Sequence, residues 1–222
     1  MKGRLVDLSH TLRPGSEKRL LETEMLQANQ VANVPLLPGQ WYIMHNVRMV
    51  THSGTHIECP YHINESGADV ASVPLERLIG EAVVLDLRGM APGAEISLEQ
   101  VKSAAEKAGG FGPGEFVLFH TGWDQYYDTP EYSRPPYPSP EAVKWLVGEG
   151  VALTGIDTEG AEVPGSEHHV NHHAMLDHGV THIENLCNMG ELTKSRVLLF
   201  AAPLAVVGLE SMPLRVVAME MD

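Results

Sequence analysis

Four short runs, at residues 81–87 (Glu-Ala-Val-Val-Leu-Asp-Leu), 115–120 (Glu-Phe-Val-Leu-Phe-His), 151–157 (Val-Ala-Leu-Thr-Gly-Ile-Asp) and 196–202 (Arg-Val-Leu-Leu-Phe-Ala-Ala), are nearly continuous in apolar character. Successive side chains of a strand point to opposite faces, so a run without polar alternation must be covered on both. The four runs therefore predict central strands with structure packed on either side.

Helical patterns lie between these runs. Ser97 opens one as an N-cap, with Gln100 three residues on, apolar residues at Leu98, Val101, Ala104 or Ala105 and Ala108, and a stop at Gly109. Ser139 opens another, with Pro140 at the first helical position, where a missing N–H leaves no bond unmade. A helix followed closely by the run at 151 is an α/β connection. Residues 121–140 and 28–42 read instead as long loops that shape a site.

A chain of 222 residues with 43% hydrophobic content can bury a full core, and one domain over residues 1–222 is expected. The formal charge of -14 argues against nucleic acid, whose phosphates require clustered Lys and Arg. The first residues lack an apolar segment of signal-peptide length, and no later run is long enough to span a bilayer. The expectation is a cytoplasmic protein with no membrane partner. Cys59 and Cys187 are too few for a disulfide framework, but each adjoins a histidine cluster, which leaves a ligand role open.

Those clusters hold nine of the twelve histidines, in residues 52–62 and 168–182. That density reads as a metal site. In the first, His52-Ser-Gly-Thr-His56-Ile-Glu58-Cys-Pro-Tyr-His62, the residues Gly54, Thr55 and Pro60 all oppose a helix. In a strand, positions 52, 56, 58 and 62 share one side, but four residues of ideal strand separate Cα atoms by roughly 13 Å. Two imidazoles that must each come within about 2 Å of one ion cannot span that distance easily. The chain must bend between His52 and His56, and Gly54 is placed to bend it.

In the second cluster, residues 172–179 resemble a short helix ended by Gly179, followed by a strand whose Val180, His182 and Glu184 alternate with Thr181, Ile183 and Asn185. Spacing alone leaves the choice open among His168, His169, His172, His173, His178 and His182.

These residues carry a family resemblance. His52-x-Gly-Thr-His56-x-Glu58-x-Pro-x-His62 resembles the His-x-Gly-Thr-His-x-Asp-x-Pro-x-His motif of the cyclase family, metal-dependent hydrolases that include bacterial kynurenine formamidase and isatin hydrolase. Agreement continues in order through Asp7-Leu-Ser-His10, Thr121-Gly-Trp123, Gly155-Ile-Asp-Thr158, the His172 to Glu184 spacing with Asn185-Leu186, and Pro213-Leu-Arg-Val-Val-Ala218. It covers nearly the whole chain. The resemblance implies that His52, His56 and Glu58 bind one metal, that His172 and Glu184 help bind a second, and that His62 is the general acid/base. It also implies a compact α/β domain around a curved, barrel-like mixed β-sheet flanked by helices, assembled as a homodimer or larger oligomer up to a tetramer. Glu58 departs from the motif's Asp by one methylene, which bears on metal spacing, metal identity and the number of ions.

Imidazole and carboxylate donors without an obligatory thiolate suit one or two Zn²⁺ ions, with Mn²⁺ the alternative. The expected reaction is hydrolysis of an amide, N-formyl or cyclic amide bond in a small molecule. Imidazole's pKa of about 6.5 suits His62 to proton transfer. A lactone or cyclic-imide hydrolase is a rival, and so is a non-catalytic metal-binding protein, which would close its coordination shell with protein ligands. Trp41 and Trp123, with Tyr42, Tyr126 and Tyr127, are candidates to line a substrate pocket. His10 and Asp157 read as supporting residues, and Arg215 as holding an internal carboxylate.

Overall fold

The computed structural model describes residues 3–33 and 35–221. Its elements run β1 (Gly3–Asp7), β2 (Leu21–Gln27), α1 (Ala28–Val31), β3 (Ile43–Met49), β4 (His56–Glu58), β5 (Ile79–Asp86), β6 (Glu95–Ile96), α2 (Leu98–Lys107), β7 (Phe116–His120), β8 (Tyr137–Pro138), α3 (Pro140–Gly148), β9 (Leu153–Ile156), α4 (Val170–Leu176), β10 (Thr181–Glu184), β11 (Arg196–Phe200), β12 (Ser211–Pro213) and β13 (Val217–Met221).

Nine strands form one mixed sheet, in the order β1-β13-β11-β5-β7-β9-β10-β4-β12, that curls into a half-barrel. The four runs predicted as central strands are β5, β7, β9 and β11, and they are neighbours in the middle of it. Three parallel pairs, β5 with β7, β7 with β9 and β9 with β10, are each bridged by a helix. Parallel neighbours cannot be joined by a hairpin, so α2, α3 and α4 supply the crossovers.

Double-sided burial explains the unbroken apolar runs. Ala82, Val84, Phe116, Leu118 and Leu153 join one core cluster with Ile57, Ile183 and Leu199. Their neighbours Val83, Leu85, Val117, Phe119 and Ile156 face the other way, onto Val101, Ala104 and Ala105 of α2 and Ala142 and Leu146 of α3. Truncating one such residue, for example Leu118→Ala, would cost about 2–5 kcal/mol.

The helix starts follow the predicted chemistry. The Ser97 hydroxyl accepts from the Gln100 backbone N–H while the Gln100 side chain returns to Ser97, and the Ser139 hydroxyl accepts from the Ala142 N–H ahead of Pro140. Gly109 and Gly179 follow α2 and α4 with φ of 92° and 75°, where a side chain would be strained.

One expected loop has another role. Residues 28–42 connect the two strands of a separate antiparallel ribbon, β2 with β3, whose register runs from Leu21↔Met49 to Gln27↔Ile43. The base of the ribbon leads into His52, whereas residues 28–42 lie at its tip, six residue steps or about 20 Å of strand away. None of the described residues in that range lines the cavity beside His52.

Candidate metal centre

Register places the central side chains. β4 lies between β10 and β12, with His182 opposite Glu58 and Glu184 opposite His56. Directly opposed residues share a sheet face, so His56, Glu58, His182 and Glu184 all project to one side while Ile57 and Ile183 enter the core on the other.

His52 reaches the same side through a bend. Residues 51–55 form turns, with Gly54 at φ 59°, before the strand begins at His56. His52 Nδ1 consequently lies 3.1 Å from His56 Nε2, a closeness an extended chain would forbid. A short 3-10 turn over Pro60–His62 then brings His62 back over Glu58, Nε2 to Oε1 at 3.7 Å. From the opposite side α4 delivers His172, whose Nε2 is 3.3 Å from Glu58 Oε2 and 3.8 Å from Glu184 Oε1.

The donor set fits a metal ion. Glu58 Oε1 stands 2.9 Å from His52 Nδ1 and 3.7 Å from His56 Nε2, and Glu184 Oε2 stands 3.4 Å from His56 Nε2. Four ligands about 2.1 Å from one ion sit about 3.4 Å from each other in a tetrahedron, and the observed separations bracket that value. His52, His56 and Glu58 form one group able to hold an ion, and Glu58, His62 and His172 form another, so Glu58 is common to both. Its Oε2 is buried without a hydrogen bond, an exposed valence that a cation would satisfy.

Each inward imidazole is held from behind. His52 Nε2 is 3.3 Å from Glu210 Oε1, His56 Nδ1 is 2.8 Å from the Gly54 carbonyl, and His172 Nδ1 is 2.8 Å from Glu162 Oε2. Acceptors in these positions fix the ring tautomer and turn the opposite nitrogen's lone pair toward an ion. Glu162 also accepts from the backbone N–H groups of Asn171 and His172, which ties the start of α4 to the site. His182 is fully buried with Nδ1 2.8 Å from the Thr154 hydroxyl and Nε2 unpartnered.

The electrostatics follow from buried carboxylates among imidazoles. Burial works against charge on Glu58, but the imidazoles of His172, His52 and His56 beside it outweigh that and hold its carboxyl well below the usual range. Glu184 is likewise brought to about 2, against both burial and the charge of Glu58, chiefly by His172 and His56. His56 and His172 rise to about 10 and about 12 because their carboxylate partners overcome desolvation. Without such partners His182 falls to about 4 through burial. Burial also lowers His62, and the Glu58 charge opposes that shift.

The cavity beside His52 is lined by Ser53, Gly54, Tyr127, Tyr132 and Asn185, with Glu17, Lys18, Arg19 and Glu159 at its mouth. Trp41 and Trp123 are not among these residues. Trp41 sits 77% exposed at the ribbon tip, and Trp123 is buried against Tyr126 with its ring centroid 4.8 Å away. The turn over Trp123–Tyr126 packs that indole inward and leaves Tyr127 and Tyr132 to face the cavity. Tyr127 stacks on His10 at 3.7 Å, and the Tyr132 hydroxyl donates to Asn185 Oδ1.

Other candidates resolve into supporting roles. Asp157 accepts from the Thr121 N–H and hydroxyl and from the Gly122 N–H, so it caps the turn after β7, while burial lifts its pKa to about 6. Arg215 donates twice to Asp7 Oδ2. Cys59 and Cys187 are buried free thiols and belong to none of the potential metal groups among the described residues. His173 pairs with Asp177 on the exposed face of α4, and His168 and His178 are exposed.

Comparison with known proteins agrees with this architecture. Residues 6–163 match the model of the Cyclase family, described as "Putative cyclase". The kynurenine formamidase of Erythrobacter litoralis is 31% identical over 213 residues, covering 92% of this chain and 88% of that protein. That of Salinibacter ruber is 30% identical over 174 residues, covering 78% and 77%. Among solved structures, isatin hydrolase A from Ralstonia solanacearum superposes with a TM-score of 0.83 at 24% identity, covering 99% of this chain and 92% of that one. With a family model spanning well over half its length and relatives at this level of identity, the chain belongs to the cyclase family.

Proposed function

We propose that this protein is a metal-dependent hydrolase that cleaves an amide, N-formyl or cyclic amide bond in a small molecule. The observation that carries this reading is Glu58, a buried carboxylate set between His52 and His56 on one side and His172 on the other, with donor separations suited to a metal. Relatives named as formamidases support the reaction class.

His52, His56 and Glu58 would hold one ion, and His172, Glu184 and Glu58 a second. When bound, the metal supplies Lewis-acid polarisation of the scissile carbonyl and lowers the pKa of attacking water towards about 7. Zn²⁺ suits three imidazoles and two carboxylates, and Mn²⁺ is the alternative.

His62 is the proton carrier in this reading. Its side chain is 30% exposed, against 14% for His52 and 12% for His172, so it is the imidazole turned most toward an incoming substrate. His62 Nε2 takes a proton from water as the oxygen bonds to the carbonyl carbon. It returns that proton to the leaving nitrogen as the C–N bond breaks, giving a carboxylate and an amine. Tyr127, partly exposed and lining the cavity beside His52, is the tyrosine placed to meet the acyl or aryl part of the substrate.

The exposed apolar residues of the β2–β3 ribbon, among them Met25, Met44, Val47, Trp41 and Tyr42, support assembly as a homo-oligomer. Two unpaired thiols fit a reducing, cytoplasmic setting, and among the described residues no helix is long and apolar enough to cross a membrane. The test is a hydrolysis screen of aryl formamides, isatin-like lactams and lactones against metal-free, Zn²⁺-loaded and Mn²⁺-loaded protein. Turnover of formamides or lactams only in the loaded forms is expected, and cleavage confined to lactones would replace the proposed bond.

A further inference from the structure

His172 presents two nitrogens to two different surroundings. Nε2 faces Glu58 and Glu184, and Nδ1 faces Glu162, where His169 joins it: Glu162, His169 and His172 each bring one donor atom within 4.8 Å of the other two. His169 is exposed, Glu162 partly buried and the His172 side chain only 12% exposed, so exposure falls stepwise toward the residue shared with the inner cluster. The backbone at His169 is left-handed, with φ 43°, a conformation most side chains avoid but histidine adopts more readily than most. Its imidazole makes no capping hydrogen bond at the start of α4, which leaves the ring free to bind.

We propose that Glu162, His169 and His172 form an outer metal position, separate from the inner centre, that takes a divalent ion such as Zn²⁺ and competes with the inner one through their shared histidine. Two imidazole nitrogens and a carboxylate oxygen are an ordinary zinc donor set, and water completes the shell. An ion there displaces the hydrogen bond between His172 Nδ1 and Glu162, and the Nδ1 proton leaves to solvent. The ring can then serve an ion on Nε2 only as an imidazolate, so filling one position weakens the other. Excess metal would thereby inhibit. The inhibitory consequence rests on the proposed inner centre, whereas binding at the outer position does not.

Equilibrium dialysis decides it, with protein first saturated at its tight metal sites and then exposed to rising Zn²⁺. One further, weaker Zn²⁺ per chain is expected in the parent, weakened at least tenfold in His169→Ala and retained in His173→Ala, with the tight stoichiometry equal in all three. Hydrolysis measured alongside should fall over the same Zn²⁺ range in the parent and not in His169→Ala. No additional ion in the parent, equal uptake by His169→Ala, or inhibition that persists in that variant would each overturn the proposal. Dialysis reads the outer ion even if no substrate is turned over, so failure of the hydrolase reading is distinguishable.

Discussion

Glu210 Oε1 stands 3.3 Å from Nε2 of His52, on the side of the ring away from Glu58. The Thr51 hydroxyl donates to the same Glu210 oxygen and fixes the carboxylate in place. This arrangement turns His52 Nδ1 toward the inner cluster. Glu210→Gln should therefore lower metal affinity about 10- to 100-fold, as loss of an outer partner usually does. Chelator competition measures it, and an unchanged affinity would remove Glu210 from the account.

Glu58 reaches His52 with one oxygen and His172 with the other, at 2.9 and 3.3 Å. A side chain shorter by one methylene from the same strand position cannot keep both separations unless β4 shifts. Glu58→Asp should retain metal at His52 and His56 and hold the ion near His172 at least tenfold less tightly. Titration of the metal-free variant, followed by metal analysis, would show a weakened second step. Two equal steps matching the parent would show that the extra methylene is immaterial.

For His62, substitution by Ala should slow turnover by roughly 10² or more while the ion held by His52, His56 and Glu58 is retained. The pH profile gives an independent test. Burial lowers the His62 pKa, and the neutral ring is the form that accepts a proton, so activity is lost as pH falls through a value below the ordinary 6.5. A neighbouring cation moves that value further in the same direction. An acid limb at or above 6.5, with metal content constant across the range, would assign the limb to another group.

Gly54 combines a φ of 59° with Leu12 Cδ2 against the place where a β-carbon would stand, and its carbonyl anchors His56. Gly54→Ala should destabilise by about 1–2 kcal/mol, lowering Tm by roughly 2–8 °C, and should weaken metal binding through His56. Calorimetry and chelator competition check the two effects separately. Parent values in both would mean that the bend does not depend on glycine.

Legibility in the sequence tracks how local each determinant is. The caps at Ser97 and Ser139 and the four buried strands are written within a dozen residues each, and the structure has them. The bend at Gly54 follows from the distance that His52 and His56 must close. His172 could not be separated by spacing from five neighbouring histidines, and the sheet register, which sets Glu184 against His56 across from α4, is what brings it to Glu58.

Glu162 and Glu210 were not legible. Each is a single acid in a chain with 29 of them, and Glu210 meets His52 only because β12 pairs with β4. Trp41 and Trp123 show the converse. Aromatic residues in a long connection mark buried or binding surface, but which ring faces a cavity depends on turns such as the one after Gly122, whose φ of 74° redirects the chain.

The cluster around Glu58 makes this protein a metal-dependent hydrolase of carbon–nitrogen bonds. The most direct measurement is the hydrolysis rate of an aryl formamide by one preparation assayed as purified, after exhaustive chelation, and after restoration of Zn²⁺ or Mn²⁺. Activity should fall to background with the metal and return with it in proportion to ions bound. Undiminished hydrolysis by the metal-free protein would contradict it.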